Sequence, residues 1–457
     1  MHGWDEDSEA LFKQIVEFVS FRMRMDPPPL DRTYSPAELM AQAGHTITPE
    51  GLGGTAALDV FANVLARANL STDHPRSLAF IPNAPTEAAS MFDLVVGASS
   101  IFGGSWLIGS GAVYAENQAL RWIADLIGYP AGAGGVFSPG GTQGTLAALV
   151  TARELARNRR KAAGLAMPRR WILLTSSESH SSVRQVGDVM DVDTVTVDVA
   201  HSAIPGVLTG AQVAAALDQV DSADEVFAIV ASGGTTNYGI VDDLTAIVDV
   251  AEPRQIWVHV DGAYGGAALA APSVSWRFAG LDRCDSFIVD PHKWLFAPYD
   301  ACALLYRHPE FARAALTQRA GYLDVLTESD EWNPADYAVH LSRRARGLPF
   351  WFSLATHGTD RYTAAVEHTL AVAAYAAAEI RIRPELELVR EPQLSVVVLR
   401  RVGWDLPDYQ DWSADLLASG TAFVAPTLHE GAPATRLAIV NPQTQRADID
   451  VVLDSMR

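Results

Sequence analysis

The chain has 457 residues, 49% hydrophobic and 19% charged, a balance that supports a large folded core and excludes a disordered chain. Thirty-four basic side chains against 54 acidic ones leave a net charge of −20, which argues against nucleic acid or an anionic membrane as partner. The two cysteines, Cys284 and Cys302, exclude a disulfide framework and a CxxC metal pattern, and no metal site is expected.

The chain opens on Met1-His2-Gly3-Trp4-Asp5-Glu6-Asp7, acidic and without signal-peptide form, so the cytoplasm is the default compartment. Residues 1–85 read as an N-terminal helical segment. Leu11, Ile15, Val16, Phe18 and Val19 recur at helical spacing. Pro27-Pro28-Pro29 interrupts, Ser35-Pro36-Ala37-Glu38 starts a helix, and Ala56 to Ala68 forms another. Two stretches lack charge, Leu94 to Ala115 with five glycines and Leu126 to Ala152 with seven. Both are too weakly hydrophobic to span a bilayer and read as backbone packed against protein or ligand.

From about residue 112 the pattern alternates between helix and strand. Val113 to Ile127 and Thr142 to Arg157 read as helices. Trp171 to Thr175, Thr194 to Val199, Val226 to Ala231, Ile256 to Val260, Phe287 to Val289 and Cys302 to Tyr306 read as strands. Strands that are apolar without alternation are buried on both faces, which predicts a mostly parallel sheet covered by helices in an α/β fold. The large domain is placed at 86–370. A long alanine-rich helix, Arg361 to Ile380, leads into a small C-terminal α/β domain at 371–457, with strands Leu394 to Leu399 and Ala434 to Ile439 and helices Tyr409 to Ala418 and Ala447 to Met456.

The chemistry-bearing residues cluster at strand ends. Lys293, in Val289-Asp290-Pro291-His292-Lys293-Trp294, follows a buried strand among apolar and aromatic neighbours. Burial lowers an amine's pKa and frees it to attack a carbonyl, the setting of a Schiff-base lysine. Ser138-Pro139-Gly140-Gly141-Thr142 leads into a helix whose N-terminus favours an anion, or simply caps it. Asp261, in His259-Val260-Asp261-Gly262-Ala263, ends a strand where its carboxylate pairs with a pyridinium nitrogen or caps the next helix. Thirty-two residues separate it from Lys293, one strand-to-strand crossover. His180 stacks on a flat ring, caps a helix or sits satisfied in the core, and Ala263 is small enough to lie beneath such a ring. Thr235 adds a hydroxyl. Together these match the phosphate, ring face, ring nitrogen and aldehyde of pyridoxal 5′-phosphate.

On Pro291-His292-Lys293-Trp294 preceded by His259-Val260-Asp261-Gly262-Ala263-Tyr264, the chain resembles the group II pyridoxal-phosphate decarboxylases, the family of aromatic-L-amino-acid and glutamate decarboxylases, over residues 75–457. The resemblance implies the aspartate-aminotransferase-like fold (fold type I) with a seven-stranded sheet, and a homodimer with active sites shared between subunits. It implies Lys293 as the residue that forms a Schiff base with the cofactor, Asp261 as the partner of the ring nitrogen, and His180 and Ala263 on the two ring faces. It places Gly141 and Thr142 at the phosphate, Thr235 and His292 near the cofactor, Phe80 and Pro82 in the substrate pocket, and Phe102 in the neighbouring subunit's pocket. The catalytic set is then Lys293, His180 and Asp261. The implied activity is decarboxylation of an L-amino acid, aromatic or bulky and apolar, to an amine and carbon dioxide.

Two departures matter. In the family's animal aromatic enzymes a loop tyrosine protonates the carbon left by carbon dioxide. The matching loop here, Arg319 to His340, has Pro334 near that position, with Tyr322, Trp332 and Tyr337 nearby. Either another group supplies the proton, or oxygen meets the carbanionic carbon and the product is an aldehyde. Asp290 stands where the animal enzymes carry asparagine. A carbon–carbon lyase or aminotransferase on the same fold, and a scaffold without turnover, are the remaining alternatives.

Overall fold

The computed structural model describes residues 2–200, 204–321 and 331–457. Seven strands, β1 (Gly134–Ser138), β2 (Trp171–Ser176), β3 (Asp193–Val197), β4 (Glu225–Ser232), β5 (Trp257–Asp261), β6 (Ser286–Val289) and β7 (Cys302–Tyr306), form one sheet in the order β1-β7-β6-β5-β4-β2-β3. Neighbours from β6 through β3 run parallel. Strand β7 is antiparallel to both β1 and β6. The apolar strand runs do face core on both sides. On β2 and β4, Ile172, Leu174, Ile229 and Ala231 join one buried cluster, while the intervening Leu173, Ala228 and Val230 join another.

Each stretch read as a strand from 171 to 306 forms one of these strands. Strand β1 went unread. Its Gly134 and Gly135 have little intrinsic strand preference, and pairing with β7 holds it. A Cβ on Gly135 would fall 1.7 Å from the Leu304 carbonyl oxygen, so the close approach of the backbones requires glycine there. The uncharged stretch 126–152 includes most of a helix's buried face: within Gly141–Ala162, Ala147, Ala148, Leu149 and Ala152 are fully buried under the sheet. Among the described residues no helix is long and apolar enough to cross a membrane.

The N-terminal segment is helical as expected, with helices Glu6–Met23, Pro36–Ala43 and Gly54–Val60. Ser35 and Glu38 form the reciprocal cap that starts the second. None of the three buries a residue within this chain. At the other end, β8 (Leu386–Leu388), β9 (Val396–Arg401), β10 (Ala425–His429) and β11 (Ala432–Ala438) form an antiparallel sheet ordered β10-β11-β9-β8. The helix Thr359–Ile382 joins the two sheets. Tyr362 and Val366 pack in the large core, and Val372, Ala376 and Ile380 pack under the small sheet.

A buried ion pair fastens the edge at β1. Arg343 and Glu116, with side chains 0% and 3% exposed, meet at 2.8 Å. The guanidinium also donates to the Phe137 carbonyl of β1 at 3.1 Å, and Glu116 accepts from the Gly347 N–H at 2.8 Å. Removing one partner leaves the other charge buried and alone. Glu116→Ala is therefore expected to cost about 3–5 kcal/mol in chemical denaturation of the folded protein. A loss below about 1 kcal/mol would mean that the pair behaves like an exposed one.

Candidate active site

Strands β4, β5 and β6 end at a cavity of about 140 Å³. All the residues expected around the cofactor line it: Gly141, Thr142, His180, Thr235, Asp261, Ala263, His292 and Lys293. Ser182, Ser232 and Asp290 line it too. The first two were missed, since a lone serine at a strand or helix end carries no distinctive signal.

One end of the cavity is built for an anion. The helix Gly141–Ala162 starts at Gly140 without a side-chain cap, so its first amide N–H groups have no side chain to satisfy them. Gly141 leaves little spare room. A Cβ there would lie 3.2 Å from Ile288 Cδ1 and 3.4 Å from the Ala263 methyl.

His180 bears out its capping reading and also lines the cavity. It is the N-cap of the helix Ser181–Met190, with Nδ1 accepting from the Ser182 N–H at 3.2 Å and lying 2.8 Å from the Ser182 hydroxyl. A ring nitrogen that accepts is unprotonated, so the remaining proton of neutral His180 sits on Nε2. Thr235 is buried, and its hydroxyl oxygen accepts from the Ile240 N–H at 3.2 Å, leaving its own proton to donate. His292 Nδ1 accepts from the Ala301 N–H at 3.0 Å, and its ring packs against Tyr299 at 4.9 Å. Burial lowers the His292 pKa against the opposing pull of Asp290, so the ring is held neutral.

Asp261 ends β5. One of its oxygens accepts from the Ala263 N–H at 3.0 Å, so it does hold the turn that follows. Burial raises its pKa above the ordinary carboxyl range despite that hydrogen bond and the nearby Lys293. A carboxylate so placed gains from a cation arriving in the cavity.

Lys293 departs from the sequence expectation. Burial lowers its pKa, but the Asp290 carboxylate, 2.8 Å from Nζ, and Asp261 beyond it more than offset that, and the net shift is upward. In this geometry the lysine is an ammonium. The next residues lock the segment. Trp294 stacks on Tyr264 at 5.3 Å and donates to the Thr369 hydroxyl at 2.9 Å. Composition singles out the same amine: the chain has three lysines, and both Lys13 and Lys161 are exposed.

Phe80, Pro82 and Phe102 do not line the cavity. Phe80 is 64% exposed and packs on Phe423; Phe102 is half-buried and bridges to Arg344. Tyr322 lies outside the described residues. Tyr337 is buried, stacked on Trp332 at 4.0 Å, and Trp332 in turn donates to the Gly135 carbonyl at 3.2 Å. Both belong to the packing outside β1 and neither lines the cavity.

A family model described as the pyridoxal-dependent decarboxylase conserved domain matches residues 57–402. An aromatic-L-amino-acid decarboxylase of Bacillus atrophaeus is 28% identical over 389 residues, covering 81% of this chain and 78% of that protein. An L-2,4-diaminobutyrate decarboxylase of Rhizobium meliloti is 28% identical over 414 residues, covering 89% and 82%. Among solved structures, Oryza sativa TDC with PLP and tryptamine superposes with a TM-score of 0.91 at 22% identity, covering 100% of this chain and 99% of that one.

A carboxyl whose pKa is raised on folding binds its proton more tightly folded than unfolded. Its contribution to stability is present below the unfolded value and is lost as pH rises through the folded one. Asp261→Asn removes that loss. The cofactor-free variant is expected to melt above cofactor-free wild type at about pH 8, with the gap narrowing towards about pH 5. Calorimetry showing no gap, or the reverse order, would contradict the electrostatics assigned to Asp261.

Proposed function

The chain belongs to the pyridoxal-dependent decarboxylases, and from that premise we propose which of its residues carry the reaction and which amino acids it takes. It is a pyridoxal 5′-phosphate-dependent amino-acid decarboxylase. The cavity fits that cofactor. An uncapped helix N-terminus faces one end, a half-buried carboxylate with spare hydrogen-bonding capacity stands at the back, and the only lysine of the chain that is not on the surface lines the wall.

When bound, the cofactor supplies an electrophilic aldehyde and a cationic ring that accepts electrons. Lys293 is the amine that attaches to it and yields to the substrate amine. Asp261 keeps the ring nitrogen protonated, so electrons released when the carboxylate bond breaks have a positive centre to flow towards. His180 would cover one ring face and the Ala263 methyl would lie against the other. The amides at Gly141 and the Thr142 hydroxyl hold the phosphate, while Thr235 and His292 bound the cavity beside it. The convergence of these side chains on one cavity at the strand ends carries the assignment.

The substrate is an aromatic or other bulky apolar L-amino acid. The cavity has room for the cofactor and little more, so the substrate side chain must extend past it. Phe80, Leu107 and Ile108 are 64%, 63% and 60% exposed, leaving apolar side chains that a partner surface could cover. In a homodimer these surfaces and Phe102 complete the neighbour's site and give the substrate side chain apolar walls. Curated relatives named for aromatic and for diaminobutyrate substrates share the family, so the aromatic preference rests on these phenylalanines.

A second reading is favoured by one observation. Among the described residues the only tyrosine lining the cavity is Tyr264, whose hydroxyl is 2.6 Å from Ser395 Oγ and accepts from the Ser395 N–H at 3.0 Å. Among the described residues no other phenol lines the cavity to protonate the substrate carbon, which favours the route in which oxygen intercepts it and gives an aldehyde, ammonia and peroxide.

Holoenzyme incubated with a panel of amino acids is expected to release carbon dioxide fastest from aromatic members and to sediment as a dimer. Preference for an acidic amino acid, or activity in a monomer, would overturn the substrate and shared-site proposals. Amine alone among the products supports the simple decarboxylase; aldehyde with equimolar peroxide and ammonia supports the second reading.

A further inference from the structure

Asp290 is a charged side chain in an unexpected place. It is 2% exposed, directly after β6 and beside the anion-binding end of the cavity. Its Oδ2 lies 2.8 Å from Lys293 Nζ, 3.6 Å from His292 Nε2, and 3.5 Å from where a Cβ on Gly141 would stand. Its Oδ1 is buried and takes no hydrogen bond from a nitrogen or oxygen among the described residues, and the soft, weakly donating Cys302 thiol is the neighbour that meets this carboxylate. The local turn fixes this arrangement: the Lys293 N–H donates to the Asp290 carbonyl at 2.9 Å, and the Asp290 N–H donates to the Ala263 carbonyl at 3.0 Å. A buried carboxylate with one oxygen on the reactive amine and the other met by no nitrogen or oxygen donor, at the end of the cavity where a phosphate must sit, is costly unless it serves the site.

We infer that Asp290 is a positioning residue that restrains cofactor loading: in the cofactor-free chain it holds Lys293 as an ammonium and competes with the cofactor's phosphate for the start of the helix Gly141–Ala162. The inference rests on the reading of Lys293 as the attaching amine.

The chemistry has two parts. Attachment is a condensation. The ammonium first sheds one proton to water. The nitrogen lone pair then bonds to the aldehyde carbon, the carbon–oxygen bond breaks, and that oxygen leaves as water with the two remaining amine protons. No electrons are gained or lost overall. Every contact that favours the ammonium slows the first step, and Asp290 is the nearest. The second part is repulsion. A phosphate at the helix start brings its charge up to Oδ1, where an asparagine amide would instead donate a hydrogen bond. Other ionisable groups face the pair as well: Asp261 from β5, Cys302 from β7, His180 from the loop after β2, and His292 and Tyr299 from the same turn, with Asp300 behind His292. Of these, Asp261 also favours the ammonium, but Asp290 alone makes the direct contact.

The test is cofactor capture by the full-length, cofactor-free enzyme, followed by the visible absorbance shift on attachment and by equilibrium affinity. Removing an opposite charge at this distance lowers a lysine pKa and frees more of the amine. Asp290→Asn, which keeps the shape, is expected to load at least about tenfold faster near pH 7 and to release the cofactor more slowly. The wild-type capture rate is expected to climb with pH well above neutrality, while the variant's levels off at lower pH. Asp290→Ala should share the faster attachment without the gain in retention, since it offers no donor to phosphate. A readout on wild type alone covers the case in which the variants fold poorly: its capture rate must rise with pH across the neutral range, and a flat profile overturns the inference. So do variants that load no faster than wild type. If wild type binds the cofactor with no absorbance shift of attachment, the reading of Lys293 fails instead.

Discussion

One electrostatic arrangement organises this molecule. Two carboxylates, half-buried Asp261 at the end of β5 and buried Asp290 after β6, flank one lysine at the ends of parallel strands. Burying like charges close together is unfavourable, and the chain tolerates it because the cavity between them accepts cationic groups. Lys293 plays that part in the free chain, and Asp261 is the carboxylate proposed to hold the cofactor's ring nitrogen in the working enzyme. The surrounding fold keeps these groups from relaxing apart. The backbone pairing of β4, β5 and β6, the packing of Trp294 between Tyr264 and Thr369, and the turn that holds Asp290 over Lys293 leave little freedom.

The groups proposed to meet the substrate side chain lie outside the cavity: Phe80, Leu107 and Ile108 are exposed and none of them lines it. The N-terminal helices likewise present Phe12, Val16 and Phe21 to solvent at 52%, 45% and 65% exposure. A second copy would satisfy both surfaces at once, and it would make substrate recognition a property of the pair rather than of one subunit.

Much of this was legible in the sequence because the residues concerned sit at the ends of apolar strands, where position alone predicts convergence. Asp261, His180 and Lys293 fall into that class, and so does the sheet from 171 to 306. Strand β1 was not legible, since its glycines are dictated by the backbone of β7 opposite them. Strand β10 contains Pro426 and lies at a sheet edge, where proline is tolerated. The state of Lys293 was misjudged for a different reason. Burial alone depresses an amine's pKa, and only the folded turn reveals the carboxylate three residues earlier that reverses the shift. Tyr337 looked available in a loop and proved to be core, because its stacking on Trp332 depends on contacts distant in sequence.

The central claim is that a single amine, selected by its electrostatic surroundings, carries the cofactor. Reduction of the holoenzyme with borohydride, followed by peptide mapping, tests it directly. The cofactor label is expected on the peptide containing Lys293 and on no other. Label on Lys13 or Lys161, or a holoenzyme that takes no label, would contradict the account.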